Sequence, residues 1–236
     1  MASQVSTVNS EIGRVVERQL RNWEIARQQQ TASPLQPGQQ VAEFIAVSRA
    51  VGLPGDEVAS LLNLRLGWPV FDREILQAMA GDDAYRKELY EAMDGRDLTW
   101  LEEILLSITS GPGGRDDYFK RLSETILTLA RKGHAIFLGR AADLILPRGV
   151  GLRVRITATR DYCIRTYASR HGITYEKAVR EVEEIEHERA RFIRHHFHIE
   201  ASEQTRHDLI INMEHYNAHQ AADIIMTALR CRGVIA

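Results

Sequence analysis

The chain has 236 residues, enough to bury a full core in one domain with appendages, and a second domain is not required. With 44% apolar residues, 26% charged residues and a formal charge of −2, it has the composition of an ordinary globular protein, with no overall pull toward nucleic acid. It contains no run of eighteen apolar residues, and MASQVSTVNSEIGR at its start lacks the hydrophobic core of a signal peptide, so a cytoplasmic protein without membrane attachment is expected.

Residues 11 to about 27 place Ile12, Val15, Val16, Leu20 and Trp23 at helical spacing after the capping pair Asn9-Ser10. The apolar face of this helix has three candidate occupants: its own domain, a second subunit, or another protein. The polar, proline-containing QQQTASPLQPGQQ that follows reads as a linker, so residues 1–40 stand apart from an α/β domain at 41–236.

The stretch Val41 to Leu76 organises that domain. A buried-type strand through Phe44, Ile45, Ala46 and Val47 meets the turn Gly52-Leu53-Pro54-Gly55, and a helix from Asp56 ends at Gly67. A second strand, Pro69-Val70-Phe71, carries Asp72 and Arg73 to its carboxyl end. Ligands of open α/β sheets gather at these strand ends, and a helix N-terminus there favours anions, so Gly52 and Gly55 are candidates for a phosphate-binding loop. Two glycines three apart also simply make a tight turn.

A helical insertion, 81–117, follows, with Trp100, Leu101, Ile104, Leu105 and Ile108 on its apolar face. A long helix carrying Tyr118, Leu122, Ile126 and Leu129 runs to Gly133. His134 to Leu138 reads as a third strand ending in Gly139-Arg140, and Leu152 to Ala158 as a fourth whose partial alternation places it nearer a sheet edge. Thr159 and Thr174 are caps for two further helices. The second of these crowds Arg189, Arg191, Arg194, His195, His196 and His198 at its end, which suits either the helix dipole or a clamp for phosphates. Leu209 to Ile211 is a fifth strand, and Asn217 with Gln220 opens the last helix as a capping box.

Glu183, Glu184, Glu186 and Glu188 read as a solvated helix face, and Cys163 and Cys231 as reduced thiols. The three histidines read as surface or phosphate contacts rather than metal ligands. Nucleic-acid binding is not expected: beyond Phe192 and Phe197 the basic segment has no interleaved aromatics.

Taken in order, VSRAVGLPGDEVA, LGWPVFDREIL, AIFLGRAADLIL, LRVRITATRDYCIRTYASR and EHERARFIRHHF resemble the cytidylate kinase-like branch of the P-loop nucleoside monophosphate kinases. The resemblance spans Val41 to about Leu229. It implies a three-layer α/β sandwich with a five-stranded parallel sheet, an acceptor-side helical insertion and a lid at 170–206. It also implies transfer of the ATP γ-phosphoryl group, with Mg²⁺, to a nucleoside monophosphate such as CMP. By position, Arg140 and Arg73 would bind the acceptor, Asp72, Arg189 and Arg194 would serve the chemistry, and Arg170 and Arg191 would belong to the lid.

The usual phosphate loop is G-x-x-x-x-G-K-[ST]. Here Asp56 and Glu57 follow Gly55, and Pro54 has no N–H to offer. A like charge beside a phosphate costs on the order of several kcal/mol at an effective dielectric near 20. Arg49 as substitute cation and Ser48 as hydroxyl donor would offset this loss. Two readings follow: a divergent nucleotide kinase, or a catalytically inactive kinase-like sensor or scaffold that binds a nucleotide or a protein partner.

Overall fold

The computed structural model describes residues 12–22, 24–25, 41–91, 93, 95–109, 116–199 and 206–235. Five strands, β1 (Phe44–Arg49), β2 (Val70–Phe71), β3 (Ala135–Leu138), β4 (Leu152–Thr157) and β5 (Leu209–Asn212), form one sheet in the order β2-β3-β1-β4-β5. Every pairing is parallel. The three-layer sandwich is therefore present, with β1 at the centre of the sheet.

Period-two alternation divides the core. Phe44 and Ala46 of β1 face one side with Phe71 and Phe137, against α3 (Arg73–Gly81) and α6 (Asp117–Lys132). Ile45 and Val47 face the other with Ile136, Val154 and Ile211, against α2 (Gly55–Leu66) and α10 (Ala218–Cys231). α2 ends at Gly67, whose φ of 69° is the left-handed conformation that glycine adopts without strain. α10 opens on the expected capping box, Asn217 and Gln220 exchanging side-chain and backbone hydrogen bonds.

Two expectations change, and an open choice is resolved. β4 is interior, between β1 and β5, and its alternation records a buried Arg153 bonded to loop carbonyls and an Arg155 that lines a cavity, rather than an edge. The helical region begins at Arg73, earlier than residue 81, because Asp72 caps α3 by accepting from the Glu74 and Ile75 N–H groups at 2.9 Å. It continues through α4 (Asp83–Glu91) and α5 (Gly95–Thr109). The N-terminal helix, α1, is helical at 12–22 and 24–25; Val16 and Leu20 are buried in the α3/α6 core and Ile12 and Val15 pack on it. Its apolar face is thus occupied by its own domain, while Trp23 lies outside the described residues.

The short α7 (Ala142–Ile145) follows β3, and α8 (Arg160–His171) and α9 (Tyr175–Phe197) follow β4, capped by Thr159 and Thr174 as expected. Val51, Ile164, Ala178 and Val182 join these two helices to the loop after β1. The carboxyl end of α9 docks onto α6 through His196, which stacks on Phe119 at 4.1 Å between ring centroids. His196 is buried, a correction to its expected place on the lid surface. Cys163 is buried and Cys231 exposed, both reduced. No described helix is long and apolar enough to cross a membrane.

Candidate functional site

The loop from β1 to α2 is a tight turn that uses its own donors. Leu53 N–H donates to the Ala50 carbonyl at 3.4 Å, Gly55 N–H to Leu53 at 2.9 Å and Val58 N–H to Pro54 at 3.2 Å. Pro54 has no N–H, and the Asp56 carboxylate is supported by its own backbone. Gly52, at φ 91°, sits so close to α8 that a Cβ would stand 2.3 Å from the Cys163 carbonyl oxygen. Burial alone would raise the Asp56 pKa; the hydrogen bond and charge of Arg170, 2.7 Å away, outweigh it and hold the carboxyl below its ordinary range.

Beyond this turn, a cavity of about 310 Å³ opens between the ends of β1, β3 and β4 and the inner face of α9. Six arginines line it: Arg49, Arg73, Arg140, Arg155, Arg189 and Arg206. The backbone explains why they meet. Arg49 closes β1, Arg73 opens α3 beside its cap, and Arg140 stands after β3 in the left-handed conformation, φ 54°, which turns the chain into α7. Arg155 is paired in register with Ser48 of β1, and its Nη1 donates to the Ser48 hydroxyl at 2.8 Å.

Arg49 runs along Gly55, where a Cβ would fall 2.3 Å from its Cδ, and extends toward Gly139. Arg189 donates from α9 to the Arg49 carbonyl at 2.9 Å. Arg140 donates to Gln77 Oε1 at 2.6 Å, lies over the Tyr118 ring at 5.9 Å, and keeps a buried Nε without a partner among the described residues.

Among the described residues, only Arg206 of these six has a carboxylate within ion-pairing distance; its Nε is 3.1 Å from Asp143. The other five have no carboxylate within ion-pairing distance among the described residues, although the charges of Asp56 and Asp72 act on Arg49. Burial lowers the pKa of Arg49, Arg140 and Arg155. Arg189 is drawn down to about 10, first by burial and then by the charges of Arg49, Arg155 and Arg73. Asp143 sits behind them, its side chain 5% exposed, touching Arg206 and, at 3.5 Å, His207. Burial would raise its pKa, but His207 and Arg206 lower it.

The described residues do not fit a resident magnesium ion. Asp56 is engaged by Arg170, Asp72 by the capping of α3, and no group of three acidic, histidine or cysteine side chains is assembled to hold a metal.

The sequence model of the cytidylate kinase-like family matches residues 44–215, most of the chain. The chain belongs to that family. An uncharacterized protein of Eubacterium ventriosum has a similar fold at 19% identity, with a TM-score of 0.65, covering 80% of this chain and 98% of its own. No curated protein matches the chain.

Within this kinase-like framework, Ser48, Arg49, Arg73, Arg140 and Arg189 converge on the cavity. Gly52 and Gly55 shape the turn beside it. Asp72 is bound into the cap of α3, although its charge still acts on Arg49. Arg170 is on α8, paired with Asp56 of α2, and Arg191 and Arg194 line a shallow depression near the end of α9 that adjoins the cavity at Glu188 and Phe192. Glu188, read as solvated, lines the cavity, whereas Glu183 and Glu186 flank Arg160 on the surface. Sequence reading missed Arg155, Asp143 and Arg206. The available signal for the first was Arg153 and Arg155 interrupting an otherwise buried strand; Arg153, 2% exposed, donates to the carbonyls of Asp143, Leu146, Val150 and Pro147.

Proposed function

We propose that this kinase-like protein binds a nucleotide, with a nucleoside monophosphate as the minimal ligand, by enclosing its phosphate among the cavity arginines. The observation that carries the reading is the group of five guanidiniums, Arg49, Arg73, Arg140, Arg155 and Arg189, gathered at one cavity with no carboxylate partner among the described residues. Guanidiniums match phosphate oxygens with paired donors, and an anion relieves the repulsion among them. The volume lies at the lower end of the range for small-molecule sites.

The turn at 50–57 argues against a conventional ATP cradle, since Pro54 has no N–H and that of Gly55 is already bonded. The favoured reading is therefore a nucleotide-binding sensor or scaffold on a kinase-like fold. A second reading, Mg²⁺-dependent phosphoryl transfer from ATP to the bound monophosphate, CMP among the candidates, draws support from Arg49. Its side chain runs from Gly55 toward Gly139, where a cation would lie between donor and acceptor phosphates. Magnesium would then arrive with ATP.

The test is calorimetric titration with nucleoside monophosphates, and with ATP and magnesium, followed by a coupled ADP-release assay. Monophosphate binding without ATP binding supports the sensor reading. ADP release that depends on a monophosphate supports the transferase. A folded protein that binds neither overturns both.

A further inference from the structure

The cavity has two separately anchored basic ends. On the β3 side, Arg140 is fixed by Gln77 and lies over Tyr118, with Arg49 and Arg73 lining the cavity too. On the β4 side, Arg155 is fixed by the Ser48 hydroxyl, and Arg206 by Asp143. β1 separates β4, which carries Arg155, from β3, beyond whose end Arg140 stands, and the two strands lie about 10 Å apart at two strand spacings. The Arg140 and Arg155 guanidiniums are each held by a partner of their own, and Arg189, whose charge acts with those of Arg49, Arg73 and Arg155, stands between the two ends.

The β4 end is built to receive something. The Arg206 side chain is 3% exposed and lines the cavity, yet its Nη1 has no hydrogen-bond partner among the described residues. A buried unpartnered charged donor is costly, and a single carboxylate, Asp143, serves this end. Arg155 has no carboxylate at all within ion-pairing distance among the described residues. Across the whole cavity six arginines face two carboxylates, Asp143 and Glu188, which leaves a net charge of +4. One phosphate of charge about −2 leaves half of that excess unmatched.

We propose that Ser48, Arg155 and Arg206 form a second anion subsite, so that the preferred ligand is a nucleotide carrying two separated phosphate groups. This rests on the nucleotide-binding reading above and narrows its ligand class. One phosphate occupies the β3 end among Arg49, Arg73 and Arg140; the second accepts from Arg155 and from the unpartnered Nη1 of Arg206. Asp143 holds Arg206 in place and is a positioning residue.

The experiment titrates the full chain calorimetrically, at fixed ionic strength, with adenosine and cytidine 5′-monophosphates, their 3′,5′-bisphosphates and inorganic pyrophosphate. The expected result is at least tenfold tighter binding of a bisphosphate than of the matching monophosphate. Arg155→Gln, with folding checked by circular dichroism, brings that ratio close to one; Arg206→Gln provides a second variant with the same expected loss.

Equal affinity for monophosphate and bisphosphate overturns the second subsite and leaves the nucleotide-binding reading intact. A ratio unchanged in both variants does the same. Pyrophosphate binding as tightly as the bisphosphate overturns the separation of the two subsites. A folded protein that binds none of these compounds overturns both readings.

Discussion

Arg170 on α8 holds the carboxylate of Asp56, at the start of α2, at 2.7 Å. The acid that stands where a kinase carries a cation therefore has its charge matched within the protein. Both side chains are partly solvent-exposed, so the pair stabilises the fold only modestly, by about 0.2–1 kcal/mol in a double-mutant cycle of Asp56→Asn with Arg170→Gln. The expected outcome for ligand binding is a change in affinity of less than about threefold for Asp56→Asn, since Arg170 offsets part of a charge that otherwise acts on Arg49 at the edge of the cavity. A large gain in nucleotide affinity would show that Asp56 repels the ligand despite its partner.

The two glycines of the turn separate under substitution. Gly52→Ala must fit a Cβ 2.3 Å from the Cys163 carbonyl oxygen at φ 91°, and the backbone there has little freedom to yield. A loss of about 2 kcal/mol or more in stability is expected, measured by denaturant unfolding. At Gly55 the new Cβ meets the Cδ of Arg49, which can move. Gly55→Ala is expected to cost less stability and to lose nucleotide affinity as Arg49 is displaced. Equal loss of stability in both, with affinity kept, would make the turn structural alone.

The strands were legible because Phe44 to Val47, Ala135 to Leu138 and their neighbours are buried on both faces, so apolar runs mark them directly. α3 was not, because Asp72 reads equally well as a strand-end catalytic acid and as a cap. Arg49, Arg73, Arg140 and Arg189 could be nominated from position along the chain. Arg155 was marked only by interrupting an apolar strand: what gives it a role is the register that places it beside Ser48, and register follows from strand order. Arg206 meets Asp143 only once β5 has docked beside β4, a long-range contact with no local periodicity to announce it.

Repulsion among the cavity arginines predicts a trade between stability and binding. Arg189 is charged at neutral pH but drawn down to about 10 by burial and by Arg49, Arg155 and Arg73. Replacing it with methionine removes a half-buried cation at the cost of one hydrogen bond to the Arg49 carbonyl. Arg189→Met is expected to raise the Tm of the ligand-free protein by about 2–4 °C, the shift that roughly 1 kcal/mol gives in a chain of this size. Phosphate ions are expected to raise the Tm of the wild type by binding the folded state, and that shift is expected to shrink in Arg189→Met. A lower Tm in the variant, with the phosphate shift unchanged, would remove the premise of a strained cation cluster.

Asp143 sets the acid limit of the same site. Its folded pKa is lowered below the ordinary 3.8, so on acidification the unfolded chain takes up the proton first. Stability from this group is therefore fully present above about pH 4 and is lost as the pH falls through the folded value. Urea midpoints between pH 6 and pH 3 should decline for the wild type toward the acid end. In Asp143→Asn the charge that faces Arg206 is gone at every pH, which leaves a buried guanidinium uncompensated. A loss of about 3–5 kcal/mol is expected at pH 7, together with a shallower decline below pH 4. A wild-type acid decline that is unchanged in the variant would place the titration elsewhere, and a small loss at pH 7 would show that Arg206 finds its counter-charge without Asp143.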